Sequence, residues 1–282
     1  MHLNARPPRA VHSGRWPRLT PLAPATVLLA GLALSGWITK IQAAPASALP
    51  PPLKVLYLTG GGFHDYEKLV PHLTNKVAEL VRVVFHPRFD FDDLRHADFA
   101  AAYDAVLYDL CFEEAPDAVL ENALQATRGG KPTVMLHCAV HAFRRSPKLR
   151  EWETCCGMRS KVHDPYAAFT VTNLDPAHAI TRFFPAEWKT AGDELYQTIS
   201  IEPESHRLLE AASAKDGRRH TVCWTYQFGA GRVFATTLGH DLKTAGTLEY
   251  QRLVANGLLW ACAKLGPYGE PLAGYAAPGR RR

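Results

Sequence analysis

Short apolar runs alternate with helix-length amphipathic stretches along this chain, and that alternation restricts its folds more than any other feature. Leu53–Thr59 is a mostly apolar strand that ends on Gly60, Gly61 and Gly62. Glu67–Leu80 follows with Leu69, Leu73, Val77 and Leu80 at helical spacing. Pro71 falls inside that stretch, so the helix is expected to bend or to start later. Val81–Phe85 and Tyr103–Asp109 read as strands, Pro116–Ala126 as a helix stopped by Gly129 and Gly130, and Thr133–Leu136 as a strand. This β-α-β-β-α-β order predicts an α/β domain, a mostly parallel sheet with helices on both faces. The middle is less regular. Pro147–Cys156 reads as a short helix. Ala168–Thr172, His206–Ala212 and His220–Tyr226 read as a small additional, partly antiparallel strand region. Arg232–Leu238 is the last strand and Thr247–Leu265 the closing helix.

The ends of the chain read differently. Residues 1–43 carry Arg6, Arg9, Arg15, Arg18 and Lys40 and no acid, and an apolar run covers Ala23–Trp37. Ala44-Pro45-Ala46 fits a small-residue cleavage pattern. The apolar run is shorter than the roughly 20 residues that span a bilayer. Residues 1–43 are therefore expected to be a signal peptide, 44–52 a linker, 53–266 the folded domain and 267–282 a C-terminal tail, in a periplasmic or secreted protein without a stable membrane anchor.

The formal charge of +5 belongs to that leader, because the remaining 27 basic side chains equal the 27 acidic ones. A nucleic-acid partner has no global electrostatic support. Nothing in the sequence decides for or against a homo-oligomer. Cys111, Cys138, Cys155, Cys156, Cys223 and Cys262 form no C-x-x-C pair. They are expected mainly as small buried hydrophobes, with a disulfide left open.

Ligands of parallel sheets bind beyond the carboxyl ends of the strands. Histidine occupies three such ends here. His64-Asp65 follows the first strand, His137-Cys138 and then His141 follow Thr133–Leu136, and His240-Asp241 follows the last strand. His163-Asp164 lies in a middle loop, and Asp193-Glu194 precedes Leu195-Tyr196. The glycine run lacks the spacing of a phosphate cradle, so its expected role is a tight turn that lets His64 approach a site.

Five of these segments also carry a resemblance. Val55–Tyr66, Val134–Arg144, Gly192–Tyr196, Gly231–Asp241 and Asn256–Ala261 follow one another as in the ThuA-like (trehalose utilisation) family. The resemblance implies a flavodoxin-like fold related to class I glutamine amidotransferases, and an association with carbohydrate metabolism.

Three readings of the chemistry follow. In the first, His64, His137, His141, Glu194 and His240 hold a divalent metal such as zinc, since imidazole and carboxylate suit that ion. His137 and His141 would share a face if a helix starts there. A metal-free histidine cluster binding a polar ligand stands beside it. In the second, Cys138 is a nucleophile on a sharp strand-to-helix turn, with His240 as base and Asp241 as orienting carboxylate, by analogy with the amidotransferases. Cys138 departs from that pattern in standing between His137 and Ala139 rather than between spaced glycines. In the third, the chain is a non-catalytic sugar-binding module that uses Trp152, Trp188, Tyr196, Trp224 and Tyr226 as stacking surfaces. The favoured expectation is histidine-dependent hydrolysis or proton transfer on a sugar or sugar derivative. His64, His137, His240, Asp241 and Cys138 are the catalytic candidates, and Asp65, His141, Arg144, His163 and Tyr196 the substrate contacts.

Overall fold

The computed structural model describes residues 49–279; the expected leader and the last three arginines lie outside them. The elements are β1 (Leu53–Gly60), α1 (Tyr66–Ala78), β2 (Val83–Arg88), β3 (Ala105–Leu110), α2 (Asp117–Arg128), β4 (Thr133–Leu136), α3 (Leu149–Cys156), β5 (Met158–His163), β6 (Thr170–Asn173), β7 (Glu187–Lys189), β8 (Tyr196–Ile201), β9 (His206–Ala212), β10 (Arg219–Phe228), β11 (Gly231–Thr236), α4 (Leu242–Ala245) and α5 (Leu248–Ala261).

Nine strands form one sheet in the order β2-β1-β3-β4-β11-β10-β9-β6-β7. From β2 to β11 every pairing is parallel. From β11 to β7 every pairing is antiparallel. The added strands thus extend the same sheet, and β5 pairs with β8 as a separate ribbon. Among the described residues, no helix is long and apolar enough to cross a membrane.

The parallel strands are apolar on both faces because both are covered. Val55, Tyr57, Leu107, Val134 and Phe234 pack with Leu69 and Leu73 of α1 and Leu253 and Leu258 of α5. Leu56, Leu58, Val106, Tyr108 and Met135 pack with Leu120 and Leu124 of α2 and Trp152 of α3.

One local expectation is corrected, a later start of the first helix. α1 starts at Tyr66 and runs through Pro71. The buried stripe of Leu69, Val70, Leu73 and Val77 outweighs the one backbone hydrogen bond that proline removes. Tyr275 and Ala276, in the stretch expected as a tail, pair with the chain just before β2. Arg82 donates its amide to the Tyr275 carbonyl at 2.8 Å, and Ala276 bridges Val81.

Candidate functional site

The ends of β1, β4 and β11 meet, and each delivers a histidine. After β1, Gly60, Gly61 and Gly62 all have positive φ. A Cβ on Gly61 would lie 2.3 Å from the Phe112 nitrogen, so only glycine lets this turn press against the end of β3 and bring His64 inward. After β4, His137 itself takes a left-handed conformation at φ 44°. That is a strained position for a non-glycine residue, of the kind that clusters at functional sites. After β11, Gly239 has φ 112°, and a Cβ there would meet the Tyr250 hydroxyl at 2.2 Å. His240 comes next.

The ring centroids lie 4.8 Å apart for His64 and His137, 4.8 Å for His64 and His240, and 5.4 Å for His137 and His240. One nitrogen from each ring lies within 4.8 Å of the other two. Tetrahedral zinc with bonds of about 2.0–2.1 Å holds its nitrogens roughly 3.4 Å apart, so small ring rotations would close the trio around an ion.

Three observations bear on what this trio can hold. First, both ring nitrogens of His64 and the Nδ1 of His240 are buried without a hydrogen-bond partner. Such atoms are costly, about 1–3 kcal/mol each, unless a ligand satisfies them. Second, His137 Nδ1 donates to the Thr237 carbonyl at 2.7 Å, which turns Nε2 toward the cluster, where the Tyr196 hydroxyl lies 3.4 Å away. Third, Glu194 stands beside the trio. Its Oε2 is 3.6 Å from His137 Nε2 and 3.3 Å from His240 Nδ1, and its Oε1 is 3.6 Å from His163 Nε2. This donor set of three imidazoles and a carboxylate fits a zinc-like ion.

The electrostatics differ among these groups. Burial, together with the neighbouring His137 and His240, pushes His64 down to about 3, so it is neutral with a free lone pair at neutral pH. Burial raises the Glu194 carboxyl, but the adjacent His137 and His240 rings outweigh it and hold it well below the usual range. Burial pulls His137 down, but Glu194 and Asp193 outweigh it and leave His137 above its ordinary value.

The cavity beside the trio has a volume of about 410 Å³, within the roughly 300–1,000 Å³ of small-molecule sites. His64, His240 and Glu194 line it together with His141, Tyr196 and His163 and the cationic Arg144, Lys161 and Lys215. Of the expected substrate contacts, His141, Arg144, His163 and Tyr196 thus line the cavity.

Other expectations are corrected. Cys138 is bonded to Cys111, so its sulfur is not a nucleophile in this state. The turn after β4 is a 3-10 segment, His137–His141, rather than the helix that would activate a thiol, and His137 occupies the strained corner. With three residues per turn, His137 and His141 do not share a face. His141 stands outside the histidine trio: its Nε2 bonds Ser160 Oγ at 2.9 Å, and its ring stacks on Tyr196 at 3.9 Å. Asp241 does not orient His240. One oxygen caps α4 by accepting from the Lys243 amide, and the other accepts from the Tyr166 hydroxyl at 2.8 Å. Asp65 is exposed, pairs with Lys68 at 2.6 Å and lines a separate depression with Asp241. Trp152 and Trp224 are fully buried, each with its indole N–H donated to a backbone carbonyl. Trp188 packs on Phe184, and Tyr226 is buried in the core. Tyr196 alone of the proposed stacking residues lines this cavity, and His141 already covers one of its faces.

Some contributors escaped the sequence reading. Asp193, fully buried, accepts the amides of Gly239 at 2.8 Å, His240 at 3.2 Å and Glu194 at 2.8 Å, and so ties Glu194 to the loop that carries His240. Its position beside Glu194 was the only signal. Asp109, at the end of β3, accepts from the buried Tyr57 hydroxyl at 2.7 Å. Burial pushes its carboxyl up to about 6 against that hydrogen bond and the charge of His137.

The fold has known counterparts. A ThuA-like protein from Parabacteroides merdae is 21% identical, covering 80% of this chain and 97% of its own, with a TM-score of 0.62. Another from Bacteroides uniformis is 17% identical, covering 80% and 100%, with a TM-score of 0.63. Part of a β-galactosidase from Bacillus circulans, 32% of that chain, covers 78% of this one at 9% identity and a TM-score of 0.53. No curated protein matches the chain. These likenesses agree with the flavodoxin-like α/β architecture. The family described as ThuA, trehalose utilisation, matches residues 55–261, the span that contains all three histidine-bearing strand ends together with Glu194, and the chain belongs to that family.

Proposed function

We propose that His64, His137 and His240 form a divalent-metal centre of the zinc type, and that with Glu194 it carries out hydrolysis or proton transfer on a sugar or sugar derivative. The carrying observation is the convergence of three imidazoles, two of which, His64 and His240, have buried ring nitrogens without a hydrogen-bond partner in the protein. The trehalose-utilisation family supports the substrate class. A bound ion would supply Lewis acidity and lower the pKa of a water molecule.

The chain's own groups do the rest. The Thr237 carbonyl fixes the tautomer of His137, so that Nε2 faces inward. His163 is oriented in the same way: Nδ1 donates to the Asp164 carbonyl at 2.8 Å, and Nε2 faces Glu194. Glu194 is therefore placed to accept a hydrogen bond from water or a substrate hydroxyl and orient it, and the half-exposed His163 beside it is the group placed to carry a proton to solvent. Arg144, Lys161 and Lys215 make the cavity wall cationic, which suits a derivative with an acidic group. We place the protein outside the cytoplasm, after removal of a leader ending near residue 43. N-terminal sequencing of the secreted chain tests that placement.

Elemental analysis and zinc titration of tag-free protein test the centre. About one equivalent of metal is expected, lost in His64→Ala and His240→Ala, together with turnover in a screen of glycosides, sugar acids and sugar phosphates. Absence of metal and of any response to added zinc overturns the metal centre. Unchanged sugar binding by that metal-free protein would assign the imidazoles to hydroxyl recognition instead.

A further inference from the structure

The cavity contains a second set of ligating atoms that the proposed centre does not use. Cys111 follows β3 and Cys138 follows β4, neighbours in the sheet, with Cα atoms 5.3 Å apart and the sulfurs bonded to each other. Both residues line the cavity, where Cys138 is 4% exposed and Cys111 fully buried, so the cavity is the side from which a small reductant would reach the bond. One ring nitrogen of His64 and the two sulfurs all lie within 4.8 Å of one another. Arg144 Nη2 is 3.4 Å from the Cys111 sulfur. Cys155, Cys156, Cys223 and Cys262, the free cysteines among the described residues, are absent from this cluster.

A disulfide sulfur is a poor metal ligand, whereas a thiolate is a strong one. We propose that reduction of Cys111–Cys138 creates a metal site with Cys111, Cys138 and His64 as ligands, which takes a thiophilic divalent ion such as zinc. The three donors leave one tetrahedral position open to the cavity. Two thiolates neutralise the ion, and the neighbouring Arg144 guanidinium favours their deprotonation. His64 belongs to both clusters, so oxidation state decides whether the cavity offers nitrogen and oxygen donors only or sulfur donors as well. The inference shares His64 with the proposed centre but holds whether or not that centre binds metal.

The chemistry balances with a phosphine as reductant. The disulfide accepts two electrons from phosphorus, water supplies the oxygen of the phosphine oxide, and its two protons go to the two sulfurs. Zinc then displaces both thiol protons into the buffer. A dithiol would do the same exchange, becoming a disulfide itself.

Cobalt(II) titration of the full chain tests the proposal, with a water-soluble phosphine used for reduction and removed under argon. Mass spectrometry after alkylation in denaturant should first show free cysteines rising from four to six. The reduced protein should then develop thiolate-to-cobalt charge-transfer absorption in the near ultraviolet at about one equivalent. Neither the oxidised protein nor Cys138→Ser should show it, and His64→Ala should weaken it. Weaker visible bands in the oxidised protein, without charge transfer, would report the histidine centre separately. Should the serine variant fail to fold, zinc should slow alkylation of Cys111 and Cys138 in the reduced native protein at least tenfold, read by peptide mapping. A reduced protein with six thiols and no charge-transfer band overturns the proposal. So does a disulfide that resists reduction until the chain unfolds.

Discussion

Two regions of this molecule combine histidines with a carboxylate, and they differ in every respect that matters for function. At the carboxyl ends of β1, β4 and β11, His64, His137 and His240 converge beside Glu194. Elsewhere, His178 and His206 stand 5.2 Å apart beside Asp175. There His206 Nε2 reaches Asp175 at 2.9 Å, and the His178 ring accepts the Ile180 amide at 3.2 Å. Asp175 also accepts the amides of Ala177 and His178, as a turn-forming aspartate does. No buried ring nitrogen there lacks a partner, whereas three such nitrogens belong to His64 and His240. Composition alone does not distinguish the two regions. Unsatisfied buried donors and acceptors do, because only they gain from an incoming ligand.

The largest contrast should appear in metal affinity. His137→Ala should weaken zinc binding by more than about 100-fold, beyond the range for loss of an outer hydrogen-bond partner. His206→Ala should leave it unchanged, as read by competition with a chromophoric chelator. Equal losses in both variants would erase the distinction. Next is Asp193→Ala, which strips buried amides of Gly239 and His240 of their acceptor. It should lower unfolding free energy by about 3–4 kcal/mol in urea and weaken zinc binding through the displaced His240 loop.

The pH dependence of the chelator-treated protein sharpens the contrast further. Asp109 is pushed up to about 6 in the folded state, chiefly by burial. Its folded value lies above its unfolded one, so the associated stability is complete below about pH 4 and is lost as pH rises through 6. Asp109→Asn keeps an acceptor for Tyr57 and should gain about 2.5 kcal/mol relative to the parent across that window. Asp175 works in the opposite sense. Burial raises it, but the Ala177 amide, His206 and the His178 amide hold it below the ordinary value. Its contribution is present above about pH 4 and is lost as pH falls further. Asp175→Asn should lose less than about 1 kcal/mol of stability at neutral pH, the scale of an exposed pair.

Much of the fold was legible because its signals are local. β4 and β9 match their expected limits of Thr133–Leu136 and His206–Ala212 residue for residue. The apolar spacing of α1 and α5 marks the faces they bury. Shorter elements were not legible. β7 has three residues and β5 follows α3 after a single glycine, too little sequence for a period to register. The site was half legible. Histidine at three strand ends marked its corners, but Asp193 looked like an ordinary neighbour of Glu194, and Asp241 looked catalytic although it caps α4.

The alternation of apolar strands with amphipathic helices, and the placing of His64, His137 and His240 just beyond strands, belong to the sequence alone, since both depend on residues a few positions apart. The strand order belongs to the tertiary structure. Placing β4 beside β11 brings the Thr237 carbonyl to His137 Nδ1 across 100 residues. Placing β3 beside β4 brings Cys111 to Cys138 across 27. Backbone pairing between distant strands sets those contacts, and no local periodicity encodes which strands will pair.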